Sequence, residues 1–177
     1  PIAYVLIGLF ILLASIVFSF NLIDLNGDFT GNLQFMSYML LFITPILTMR
    51  ILSEDRKNGT DVMLLTSPVK LSQIVLGKYL AAFSIIFVIT LISFIYPIIL
   101  IALGSQLTAK LVGAYIGFIL LGASFTAVGV FASSLTENQI IAAVISYVSL
   151  LIMWLAQGIS GMFGGVIAKV LDWFSIT

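Results

Sequence analysis

The side chains able to do chemistry here are carboxylates, amines, guanidinium groups and hydroxyls, because the chain contains no His and no Cys. That excludes disulfide frameworks and the usual thiolate or imidazole metal sites. Gly77-Lys78 resembles the end of a phosphate-binding loop, but that pattern requires Gly at 72 and Ser or Thr at 79. Ser72 and Tyr79 occupy those positions, so the match fails. Glu137 has no partner acid or base nearby in sequence, and no catalytic residue is assigned. What remains is a concentration of charge. Arg50, Arg56, Lys57, Lys70 and Lys78 are five of the seven basic residues, and Glu54, Asp55 and Asp61 are three of the seven acids.

That segment sits in a chain that is 62% hydrophobic and 8% charged, with mean hydropathy +1.27. Soluble domains carry roughly 25% charged residues, so a soluble fold is excluded in favour of a membrane protein. A formal net charge of zero argues against a nucleic-acid partner. Charges are expensive in hydrocarbon, so the Arg50–Lys78 segment must lie in water, where a soluble partner can meet it.

Five apolar runs must position it, at 2–20, 33–49, 79–103, 111–133 and 140–157. They are about twice the length of a barrel strand and lack its alternation, so they predict helices. The fold class is all-α, a polytopic membrane helical bundle. The first run lacks the basic start and short apolar core of a signal peptide and is read as a span. Because the chain begins at Pro1 inside an apolar run, it is expected to be a piece of a larger membrane protein. Counting Lys and Arg places the 50–78 segment in the cytoplasm, and the acidic Asn21–Gln34 loop outside. There is no internal repeat and no low-complexity linker, so 1–177 is taken as one membrane domain.

Within the segment, Asn58-Gly59 is a turn pair. Thr60 can cap a short helix over DVMLLTS, with Asp61 in its first turn and Pro68 as its stop. Ser72 can cap the next helix, and Lys78 can snorkel to the lipid headgroups. An apolar helix between charges suits a groove on a partner; it suits equally well a turn lying on the membrane surface.

The string E54-DRKN-G59-T60-DVM-L64-L65-TS-P68, followed by IVL-G77-K78, resembles the cytoplasmic loop of ABC-2 type transporter permeases. Within them, the small permeases of gliding-motility and nitrous-oxide-reductase-maturation systems are the most similar. The stretch Ser133–Tyr147 resembles the approach to the fifth helix of that family. Many members carry an acid at the position of Val62, whereas here the acid is Asp61.

The resemblance implies an ABC-2 (type V exporter-like) transmembrane domain in the cytoplasmic membrane of a prokaryote. It implies a permease subunit working with a second permease copy or homologue and with separate ATPase subunits, which bind the ATP and Mg; no cofactor is expected in this chain. It places Glu54, Arg56, Gly59, Thr60, Met63, Leu64, Leu65 and Pro68 on the surface that couples to the ATPase. It further implies an extracellular helical piece at 158–177, with a preceding cytoplasmic helix and a sixth span lying outside the chain. The rival reading is a membrane scaffold or channel whose loop recruits a partner that is not an ATPase.

Gly113, Gly117, Ser124 and Ala127 fall within about 80° on a helix at 100° per residue and predict a face for close helix packing, read first as packing within the chain. Ser134-xx-Glu137 and Thr136-xx-Gln139 offer capping boxes for the fifth helix. Pro45 and Pro97 are positions for kinks. The centres of the runs carry no ionisable residue, which suits energy delivered from outside the membrane better than ion coupling.

Overall fold

Hydrocarbon offers no hydrogen-bond partner, so each apolar run must close its backbone bonds within itself. The computed structural model describes residues 2–23, 29–59, 70–103 and 109–160, and all regular structure among them is helical. The helices are α1 (Ile2–Ile23), α2 (Thr30–Thr48), α3 (Ser53–Lys57), α4 (Leu71–Ser93), α5 (Ile95–Ala102), α6 (Ala109–Ser134) and α7 (Gln139–Ser160). By length and composition, Ala3–Leu22, Thr30–Lys57, Leu71–Ala102 and Lys110–Ser134 can each cross a membrane. The apolar stretch described in α7 runs from Gln139 to Leu155.

Helix α2 is the centre of the bundle, packed against α1, α6 and α7, while α4 lies across α6 and α1. Phe10, Met36, Leu40, Ile86 and Leu150 are fully buried along this axis. Two glycines of α6 set how closely its neighbours approach. A Cβ at Gly122 would lie 2.7 Å from Cγ2 of Ile86, and one at Gly129 would overlap the Thr48 side chain. Three buried hydroxyls are satisfied by bonding back one turn: Thr48 to the Thr44 carbonyl (2.8 Å), Thr90 to Ile86 (2.9 Å) and Thr126 to Gly122 (2.7 Å).

The third apolar run is broken at Phe94, between α4 and α5, and Pro97 supplies the reason. Proline has no N–H to give the carbonyl four residues back, which is that of Ser93. Tyr115 Oη donates to that carbonyl at 3.0 Å in place of the missing bond. Pro45, by contrast, lies inside α2 without interrupting it.

Two helix starts differ from the sequence expectation. Helix α4 starts after Lys70, whose N–H donates to Gln73 Oε1 at 3.3 Å, so Ser72 lies within the first turn rather than capping it. For α7 the cap is Asn138, whose Oδ1 accepts from Ile140 N at 3.0 Å. Ser134 is spent on the Phe131 carbonyl, and Thr136 accepts from Asn138 N.

Candidate functional site

Helix α2 ends at Thr48, and the chain turns through Met49–Leu52 into the five-residue helix α3. So short a helix cannot persist on its own propensity. Its first N–H groups and the last carbonyls of α2 are orphans that must find partners where they are buried. Local bonds meet part of the need: Ile51 N to Thr48 O (3.1 Å), Glu54 N to Arg50 O (3.3 Å), and Ser53 Oγ to the Met49 carbonyl.

The rest comes from across the bundle. Ser133, fully buried near the end of α6, accepts from Leu52 N at 3.0 Å and from Ser53 N at 3.1 Å. Its hydroxyl also lies 3.2 Å from the Met49 carbonyl, to which it donates. One donor and two acceptor sites are all a serine hydroxyl has, and here all are used. One turn deeper, Gly129 lets α6 close onto Thr48. The elbow between α2 and α3 is therefore seated directly on α6.

Lys78, near the start of α4, holds the other side. Its ammonium donates to the Ile51 carbonyl at 2.7 Å and forms an ion pair with Asp55. Both side chains keep about a quarter of their surface exposed (24% and 26%), so the pair is partly screened and modest in strength. Lys78 thus turns onto the elbow instead of reaching for the headgroups.

On the outer side of α3, Glu54, Arg56 and Lys57 are exposed. The acids lie in its first turn and the bases in its last, as the helix dipole favours. Asn58 N bonds Glu54 O at 3.0 Å and Gly59 N bonds Arg56 O at 3.1 Å. Gly59 ends the helix at φ +68°, a conformation that penalises any Cβ, although among the described residues nothing lies within 4 Å of one.

Of the predicted coupling residues, Glu54, Arg56 and Gly59 thus share one exposed ledge. Thr60, Met63, Leu64, Leu65 and Pro68 lie outside the described residues, as does the short helix expected there and everything from 161 to 177.

The predicted small-residue face is not the one that packs among the described residues. Gly113 and Gly117 are exposed, and a Cβ on either would meet nothing within 4 Å among the described residues. Ala127 is exposed as well, and Ser124 bonds its own helix at Leu120 O (3.0 Å). Packing within the chain uses the opposite side of α6, through Tyr115, Phe118, Gly122, Phe125 and Gly129. Beside the exposed face, an apolar groove of about 340 Å³ runs between α5 and α6, lined by Phe94, Pro97, Ile101, Val112, Tyr115 and Ile116 among others. Tyr115 commits its hydroxyl to Ser93, so that lining carries no free polar group to select a ligand.

Sequence reasoning missed Ser133, Asp55 and Gly129 as parts of the elbow. A serine at the end of an apolar run looks like any helix-end serine, and nothing local tells that its partners lie about eighty positions earlier.

The elbow combines a fixed backbone turn, a buried hydroxyl clamp and an exposed charged ledge. It can hold a position and be pushed. A family model described as ABC-2 family transporter protein matches residues 20–176, which includes the whole elbow, α6 and α7. No curated protein and no solved structure matches the chain.

Proposed function

We infer the role of the elbow from one premise: the chain belongs to the ABC-2 transporter family. It is accordingly a multi-pass membrane permease component of an ABC transporter. As the finer reading, we propose that the ledge of α3, with Glu54, Arg56 and Gly59, docks a separate ATPase subunit on the cytoplasmic side. ATP and Mg then belong to that partner, and a second permease copy or homologue completes the assembly in the cytoplasmic membrane.

The observation that carries this reading is the seating of an exposed, charged five-residue helix on two membrane helices at once. A loop that merely lay on the membrane surface has no need of a buried hydroxyl and an ion pair to fix it. Docking moves the bundle only if the ATPase holds the ledge differently in its two nucleotide states. The residues themselves supply recognition and leverage, while bond cleavage falls to the ATPase.

The test is co-purification of the full-length protein with a phosphate-loop ATPase subunit co-expressed from the same genome, with and without Arg56→Glu. Reversing an exposed charge in a docking ledge is expected to weaken the complex at least tenfold, with the permease still folded. Equal recovery of the ATPase with both forms sinks the docking assignment.

A further inference from the structure

We propose that Ser133 is a positioning residue that makes the α2–α3 elbow and α6 a single moving body, so that force on the ledge displaces α6 in preference to α4. The proposal rests on the reading of α3 as an ATPase-facing ledge.

Helix α3 also lies against α7, but the hydrogen-bonded attachments of the elbow among the described residues are to α6 and α4, and these differ in kind. Toward α6 the contact is short and dry. Ser133 and Ser53 are fully buried, and the Ser133 hydroxyl engages three backbone groups across the turn: Met49 O, Leu52 N and Ser53 N. Gly129 brings the α6 backbone against Thr48 one turn further in, so two successive turns of α6 are seated, one on the end of α2 and one on the elbow. Packed interiors of this kind transmit displacement instead of absorbing it. Sliding α6 past the elbow would leave the Leu52 and Ser53 N–H groups without the hydroxyl that accepts from them, and the Met49 carbonyl with Ser53 Oγ alone.

Toward α4 the contact is the Lys78 side chain, a flexible four-carbon stem whose ammonium can keep its ion pair while the helix shifts. It is partly exposed, so water can replace either partner. A push on α3 therefore meets a stiff joint on one side and a compliant tether on the other. The stiff joint sets which helix follows.

These 177 residues contain no Cys, so once any Cys elsewhere in the full-length permease and in the ATPase is replaced, an introduced pair is the only thiol label. In the full-length permease bound to its ATPase in nanodiscs, spin labels at Leu12→Cys on α1 and Leu120→Cys on α6, both exposed, read the displacement of α6. The unsubstituted background is expected to show a shift between the nucleotide-free and vanadate-trapped ATP states. Ser133→Ala should reduce that shift at least twofold while ATP turnover stays within twofold, which a merely structural lesion would not do. Ser133→Thr, which retains the hydroxyl, should restore it.

Ser146→Ala is the control. It removes another buried hydroxyl, one with no hydrogen-bond partner among the described residues, and should leave the shift intact. Lys78→Met should also leave it within experimental error. A full shift in Ser133→Ala, or a loss caused by Lys78→Met and not by Ser133→Ala, overturns the stiff-joint assignment alone. No nucleotide-dependent shift in the unsubstituted background, with ATPase bound and turning over, contradicts the coupling reading and the joint with it.

Discussion

Tyr115 and Pro97 illustrate how a single residue's deficit is met by another in a medium without water. Pro97 frees the Ser93 carbonyl, and the Tyr115 hydroxyl occupies it at 3.0 Å. Tyr115→Phe should therefore destabilise the protein by about 1 kcal/mol in thermal unfolding in detergent. Restoring a backbone donor with Pro97→Ala should remove most of that penalty, so the double-mutant cycle is strongly non-additive. Additive effects would show that the tyrosine does not serve the proline break. Gly59 is a second single-residue case. Its φ of +68°, with no described residue within 4 Å of a Cβ, means that Ala is resisted by the backbone. A cost of about 1 kcal/mol corresponds to roughly fivefold faster amide exchange in the 53–59 segment, readable by hydrogen–deuterium exchange. Unchanged exchange in Gly59→Ala would contradict the strained-cap account.

At the scale of the element, α6 is the helix whose faces decide the packing. Gly129 abuts Thr48 on its inner side, whereas a Cβ at Gly113 would meet nothing within 4 Å among the described residues. Gly129→Ala is expected to lower stability by about 1–3 kcal/mol through overpacking. Gly113→Ala should be neutral, or stabilising by a few tenths to about 1 kcal/mol, as for any exposed helix glycine. Equal penalties at both positions would overturn the face assignment. The sequence showed that α6 is a helix, because an unbroken apolar run from 111 to 133 needs no periodicity to be recognised. It did not show which side faces inward. A helix that is apolar all round has no polar stripe to orient it, so residue type alone does not tell Gly113 and Gly117 from Gly122 and Gly129, and the spacing of small residues pointed to the former. The turn at Asn58-Gly59 and the break near Pro97 were legible, because glycine and proline act through their own backbone. Asn138 as the true cap of α7, and the partners of Ser133, were not, because each depends on where the preceding helix stops in space.

For the whole molecule, the bundle holds an exposed charged ledge at one end and hangs it on α2, α6 and α4 through the elbow. Membership of the ABC-2 transporter family supports the proposal that this ledge is where an ATPase acts. The apolar, lipid-compatible surfaces elsewhere, including the exposed side of α6, lack comparable charge. Light-activated cross-linking from single positions of the full-length protein discriminates between these surfaces directly. A benzophenone amino acid at Arg56, on the ledge, should yield an adduct with the ATPase that changes in intensity between nucleotide-free and ATP-bound states, while one at Ala127, on the exposed side of α6, should yield none. Adducts from Ala127 and none from Arg56, in a preparation where the ATPase is bound, would contradict the assignment of the elbow as the coupling site.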